Sequence, residues 1–185
     1  QQVSPHAILA VTFTNKAAAE MRVRIEELLQ TPMRSLWIGT FHGMAHRFLR
    51  LHWQRAGLPE NFQVLDSDDQ YRLIRRVLKN LNLDEERYPP KQLQWWINHQ
   101  KDNGLRADKI PQDHHPYTAV AIKVYKEYQQ LCVDRGLIDF AELLLLNCEL
   151  LSSNAELRVH YQQRFQHILI DEFQDTNAIQ YRWFS

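Results

Sequence analysis

Ile168-Leu169-Ile170-Asp171-Glu172-Phe173-Gln174-Asp175-Thr176-Asn177 is the stretch on which the reading of the fold turns. Three apolar residues end abruptly in two carboxylates. A short apolar run of this kind reads as a strand of a parallel sheet, buried on both faces. In such sheets ligands bind just beyond the carboxyl ends of the strands. Asp171 and Glu172 therefore stand where a metal–nucleotide complex would sit. This is the Walker B arrangement, in which one carboxylate holds Mg²⁺ and the next orients or deprotonates the attacking water. Taken by itself, the pattern fits equally well a structural strand end followed by a solvated turn.

Upstream, the sequence predicts the rest of such a sheet. Residues 7–12 are apolar and β-branched and read as a strand. Thr14 or Asn15 can cap the Ala-, Glu-, Arg- and Leu-rich helix predicted over 16–29, with Met21, Ile25, Leu28 and Leu29 as its apolar stripe and Pro32 as its stop. Residues 36–39 read as a second strand, so 7–39 form one β-α-β unit with a right-handed crossover.

From His42 to Gln166 the pattern is helical. A helix over 41–53 carries Met44, Phe48 and Leu51 on one side and Arg47 and Arg50 on the other. Ser67 and Gln70 read as a capping box for a helix over 71–81, whose Arg72, Arg75, Arg76 and Lys79 form a solvated outer face. Pro89-Pro90 opens a helix over 91–101, closed by Asn103-Gly104; one of Trp95 and Trp96 packs inward and the other is half exposed. Residues 107–116 read as an exposed loop, and His114-His115 within it carries no metal-ligand spacing. A helix over 117–135, with Val120, Val124, Tyr128 and Cys132 one turn apart, closes at Gly136. Asp139 with Glu142 starts a helix over 140–151, whose Leu143–Leu146 run must be buried, and a last helix covers 155–165. The expected fold class is α/β, a partial parallel sheet with a large all-helical insertion.

Composition sets outer bounds. Hydrophobic residues make up 44% and charged residues 24%, ordinary for a globular domain. Lys+Arg and Asp+Glu both number 22; zero net charge argues against a purely electrostatic nucleic-acid binder, though not against a motor that grips single strands by stacking and local contacts. Cys132 and Cys148, outside any metal-ligand pair, read as reduced thiols of a cytoplasmic protein. No run is long enough to cross a bilayer, and the amino end has no signal-peptide core. None of the five glycines precedes a lysine, so there is no Gly-x-x-x-x-Gly-Lys-Ser/Thr phosphate loop. With Gln1 at its start, the chain reads as a piece of a larger motor.

The string Asp171-Glu172-Phe173-Gln174-Asp175-Thr176-Asn177 resembles motif II of the UvrD/Rep group of superfamily 1 DNA helicases. Ala10-Val11-Thr12-Phe13-Thr14-Asn15-Lys16-Ala17-Ala18 resembles motif Ia, and Gly39-Thr40-Phe41-His42-Gly43 resembles motif Ib, in the family's order. The resemblance extends over essentially the whole chain. It implies a RecA-like (P-loop NTPase) subdomain 1A, present here as residues 1–41 and 167–185, interrupted by a helical subdomain 1B at 42–166. It further implies that Glu172 is the catalytic base of ATP hydrolysis, that Asp171 holds Mg²⁺, and that Gln174 and Asp175 link the ATP and DNA sites. Phe13, Thr14, Asn15, Lys16, Thr40 and His42 would contact single-stranded DNA, with Arg47 available to a DNA backbone. The implied parent is an ATP-dependent 3′-to-5′ DNA helicase of nucleotide-excision and mismatch repair, working on single-stranded and duplex DNA with repair proteins and without a membrane. The piece alone, lacking the phosphate loop, is expected to be inactive and to carry no cofactor, with a sheet that exposes apolar surface. Two other readings remain: a non-catalytic module that binds nucleic acid or a protein partner, for which a general base at a strand end has no use, and a Rep-like replication helicase.

Overall fold

A computed structural model describes residues 3–29, 35–112 and 115–184. A single 3-10 turn at Pro5–Ala7, capped by the Ser4 side chain, leads into strand β1 (Ile8–Thr12). Helix α1 (Asn15–Leu29), strand β2 (Trp37–Thr40) and helix α2 (Phe41–Leu51) follow. The middle of the chain carries β3 (Gln63–Val64), α3 (Ser67–Asn80), α4 (Pro90–Asp102), a 3-10 turn at Ala107–Lys109, α5 (Pro116–Arg135), β4 (Leu137–Ile138), α6 (Phe140–Ser153) and α7 (Ala155–Arg164). The chain then returns to the sheet with β5 (His167–Ile170), a 3-10 turn at Phe173–Asp175 and α8 (Ala178–Phe184). Pro32, the expected stop of α1, and His114 lie outside the described residues.

The three predicted strands form one parallel sheet in the order β2-β1-β5. Leu9 to Thr12 pair with Trp37 to Thr40, and Ile8 to Val11 pair with His167 to Ile170. The architecture is mixed α/β, mostly helical, with small parallel sheets.

Several sequence expectations need correction. β5 is not buried on both faces: Ile168 is 40% and Leu169 57% exposed. It pairs with β1 on one side and, among the described residues, with no strand on the other, so its apolar side chains lack the cover that a central strand has. The insertion is not wholly helical either. β3 and β4 make a two-residue parallel pair, Gln63 with Leu137 and Val64 with Ile138, because the chain leaving α5 runs straight past the segment entering α3. Helix α3 begins one turn earlier than the capping-box reading placed it. Asp66 is the cap, its carboxylate accepting from the Asp69 amide at 2.7 Å, while Gln70 turns inward to the Gln94 and Asn98 side chains. A carboxylate is the better acceptor for helix amides, and the inward Gln70 cannot reach back to close a box. On α1 only Ala18 is buried, and Leu28 of the supposed stripe is 81% exposed. Leu51 also faces solvent rather than the core.

Two large apolar cores result, beside a small one in which Met21 and Ile25 of α1 pack on Ala10, Leu36 and Ile38. One joins the sheet to α2, α6 and α8 through Leu9, Val11, Trp37, Phe41, Phe48, Leu144 and Ile179. The other lies among α3, α4 and α5, centred on Ile74, Leu78, Leu93, Ile97, Val124 and Tyr125. Truncating one such filled position to alanine costs about 2–5 kcal/mol. Trp96 half-buries against Tyr125, and Trp95 stands out in solvent stacked on His99; the inward–outward split matches the expectation, but each ring is more exposed than expected.

Where the second core meets α6 the contact is ionic. Lys101, at the end of α4, is 1% exposed, and its Nζ lies 2.7 Å from Asp139 Oδ2 and 2.8 Å from Glu142 Oε2. Tyr128 Oη donates to the same Asp139 oxygen at 2.6 Å. Arg106 grips Glu142 through both terminal nitrogens and Glu149 through Nε and a terminal nitrogen, at 2.6–2.8 Å. Burial opposes the charge on Lys101, but Asp139 and Glu142 outweigh it and hold the ammonium protonated. Burial likewise pushes Glu142 up, and Lys101 and Arg106 more than reverse that, bringing it down to about 2.

Candidate nucleotide and nucleic-acid site

Parallel register aligns the ends of the three strands. Thr12 pairs with Thr40 at the ends of β1 and β2, and Val11 pairs with Ile170 at the end of β5. The next residue of β5, Asp171, continues the ladder, its amide donating to the Val11 carbonyl at 3.0 Å. All three motifs thus emerge along one edge, the carboxyl edge of the sheet.

At that edge Asp171 and Glu172 are exposed. Asp171 Oδ2 lies 3.4 Å from the hydroxyl of Thr12, itself buried. Glu172 leaves the strand with φ of 53° and ψ of 46°, the left-handed region that a non-glycine residue enters at a cost of about 1–2 kcal/mol. That turn throws the chain off the strand and into the one-turn segment holding Gln174 and Asp175. Both are exposed, and the Asp175 amide is bonded to the Glu172 carbonyl at 2.9 Å. Asn177 then caps α8 reciprocally with Gln180, each side chain accepting from the other's amide at 2.9 Å. One carboxylate beside a hydroxyl is a hard oxygen donor set, which suits Mg²⁺ arriving with a triphosphate. Among the described residues no group of three or more His, Cys, Asp or Glu could hold a metal by itself.

The strand ends next to it are built as helix caps. Thr14 caps α1, accepting from the Ala17 amide at 3.1 Å, and Asn15 and Lys16 open that helix in solvent. Thr40 caps α2, accepting from the Gly43 amide at 3.0 Å. A Cβ on Gly43 would stand 2.9 Å from that hydroxyl oxygen, so a larger residue there would push the capping side chain out of place. A capping hydroxyl still has its proton to donate, and two helix N-termini side by side offer backbone amides and favourable dipoles to phosphate. Phe13 is half-buried, its ring 5.0 Å from that of Phe41. His42 is half-buried, and burial lowers its pKa, so the neutral imidazole faces the edge at physiological pH.

The structure brings Phe13, Thr14, Asn15, Lys16, Thr40, His42, Asp171 and Glu172 to one edge. Arg47 is elsewhere. Its guanidinium donates to the Leu36 carbonyl at 2.7 Å, at the opposite end of β2, and covers the Trp37 ring at 4.5 Å. Arg50 is similarly engaged with the Glu60 and Phe62 carbonyls.

One residue at this edge escaped the sequence reading. Phe140, first in α6, is 54% exposed, and its ring meets His42 edge-on at 5.5 Å. The available signal was its position: an aromatic directly after the cap Asp139, out of phase with the buried run that follows it.

Comparison with known proteins agrees with the motif reading. The UvrD/REP helicase N-terminal domain family matches residues 1–185. The chain is 54% identical over 183 residues to DNA helicase II of Escherichia coli, covering 99% of this chain and 25% of that protein. It is 53% identical over 187 residues to DNA helicase II of Haemophilus influenzae, with 99% and 26% covered. Against the ATP-dependent DNA helicase PcrA of Staphylococcus epidermidis it is 39% identical over 185 residues, with 98% and 25% covered. The chain thus spans about a quarter of the length of the curated relatives it matches, and by both motifs and similarity it belongs to the UvrD/REP helicase N-terminal domain family.

Proposed function

We propose that the chain is the part of an ATP-driven DNA helicase that carries the hydrolytic carboxylates and two contacts to single-stranded DNA. The observation that carries this reading is the shared edge: the Asp171–Glu172 pair and the two capped helix starts end on adjacent parallel strands. On it, residues 1–41 and 167–185 belong to a RecA-like, P-loop NTPase subdomain, and 42–166 form its insertion. The exposed flank of β5 is where further strands of that sheet would pair.

Asp171, beside the Thr12 hydroxyl, would hold Mg²⁺ brought with ATP; bound there, the ion neutralises phosphate charge. Glu172 accepts the proton of the attacking water, and its exposed carboxylate is available for that. Gln174 and Asp175 follow within one turn, where they would link the ATP and DNA sites. Asn15, Lys16 and the hydroxyls of Thr14 and Thr40 hold the phosphates of the strand, while Phe13, His42 and Phe140 offer ring faces to its bases. The whole protein would act as a 3′-to-5′ translocase in nucleotide-excision and mismatch repair, in the cytoplasm, on single-stranded and duplex DNA with repair proteins as partners. Among the described residues no helix is long and apolar enough to cross a membrane.

The test is Glu172→Gln in the full-length protein. The expected result is loss of DNA-stimulated phosphate release with ATP binding retained, because the base is removed and the phosphate cradle is not. Turnover at the unmodified rate would remove Glu172 from its role, whereas an unmodified full-length protein without turnover would return the non-catalytic module reading.

A further inference from the structure

We infer that Lys101 and Asp139 are positioning residues for strand binding: their buried ion pair holds Phe140 at the nucleic-acid edge. The inference rests on the proposed role of that edge. Residues 136–139 are fixed from two sides. The Gln63 amide donates to the Gly136 carbonyl at 2.9 Å, and the Leu65 amide to the Ile138 carbonyl at 2.8 Å. Ile138 is buried between these bonds. Asp139 then uses both carboxylate oxygens. Oδ1 caps α6, accepting from the Glu142 amide at 2.8 Å. Oδ2 receives Lys101 Nζ and Tyr128 Oη at 2.7 and 2.6 Å, with Gln70 Nε2 at 3.3 Å. The very next residue is the exposed ring beside His42. A side chain that must stack on a base gains most when its backbone is immobile before the base arrives.

The arrangement also explains why so polar a cluster is buried in the insertion. A buried ion pair is weak evidence for stability, since desolvation offsets much of its attraction, and its best-attested use is to fix one arrangement. Here the arrangement fixed is that of the α3–α5 core against the start of α6. The strand contact therefore moves with the helical insertion.

The experiment is a double-mutant cycle in the full-length protein, reading the Kd for a single-stranded oligonucleotide by fluorescence anisotropy. The variants are Phe140→Ala, the charge-neutral pair Lys101→Met/Asp139→Asn, and all three together. Asparagine keeps the capping oxygen, and thermal melting and circular dichroism monitor the fold. Tyr128→Phe, which removes a single donor from Asp139, repeats the cycle with a smaller perturbation should the pair variant not fold. Phe140→Ala is expected to weaken binding about tenfold. The pair variant should weaken it severalfold, and the triple variant no more than Phe140→Ala alone. If the pair variant binds as the unmodified protein, or weakens the Phe140→Ala protein by its full factor again, the positioning role is wrong. If Phe140→Ala itself binds normally, it is the reading of Phe140 as a strand contact that fails, and the inference falls with it.

Discussion

Replacing Glu142 by glutamine should give a stability defect that depends on pH in a defined way. The carboxylate sits between the Lys101 ammonium and the Arg106 guanidinium, which hold it at about 2 against an ordinary 4.5. That difference corresponds to about 3 kcal/mol of stability at neutral pH, within the range of about 3–5 kcal/mol seen when one partner of a buried pair is removed. The sign follows from the depressed value. The contribution is fully present above pH 4.5 and is lost as pH falls through about 2. Glutamine keeps the shape and one acceptor but no charge. Urea unfolding followed by tryptophan fluorescence should therefore show a deficit of about 3 kcal/mol at neutral pH that closes as the pH approaches about 2. A deficit of equal size at both ends of that window would refute the argument, because it would then arise from packing and not from ionisation.

Asp66→Ala should cost about 1 kcal/mol by removing the cap of α3, and Ser67→Ala much less; the same denaturation assay distinguishes the two registers. Gly43→Ala drives a Cβ to 2.9 Å from the Thr40 hydroxyl, so it should loosen the start of α2 by about 1 kcal/mol and weaken oligonucleotide binding in the full-length protein. The chain by itself is expected to release no phosphate from ATP above a Glu172→Gln control, with or without single-stranded DNA, since its sequence has no phosphate loop to bring that motif's row of amides and its lysine to a triphosphate; a malachite-green assay decides this. Leu169→Lys should reduce self-association of the isolated chain, measured by light scattering, because it places a charge on the bare flank of β5.

Much of this was legible in the sequence because local chemistry announced it. Proline and glycine punctuate the helices at Pro89-Pro90, Asn103-Gly104 and Gly136, and the stripes of α3 and α5 repeat at helical spacing. Asp171-Glu172 after an apolar run named the candidate site. What stayed hidden depends on neighbours distant in sequence. Lys101 at the end of a helix reads as a solvated cation, and only the arrival of Asp139 and Glu142 across the fold makes it a buried one. Ile168-Leu169-Ile170 has the composition of a central strand, yet centrality belongs to the partners a strand finds. Arg47 and Arg50 look like an outward basic face, and their actual partners are backbone carbonyls and rings that periodicity cannot foresee. Phe140 belongs to the edge through His42, almost a hundred residues earlier.

The pairing of β5 with β1 also sets an order of events. Thr12 and Asp171, joined at the edge, lie 159 positions apart. Closing a flexible chain of that length costs about 4–5 kcal/mol in entropy, a cost that falls once the intervening helices have folded through their own short-range contacts and drawn the ends together. Helical contacts form quickly and distant strand pairs slowly, so the sheet is completed last. During synthesis at about 5–20 residues per second, β5 follows β1 off the ribosome by about 10–30 s. Through that interval Leu9 and Val11 are sheltered by β2, α2 and the arriving α6 but lack their β5 neighbour, and the carboxylates that would act on ATP join the sheet last.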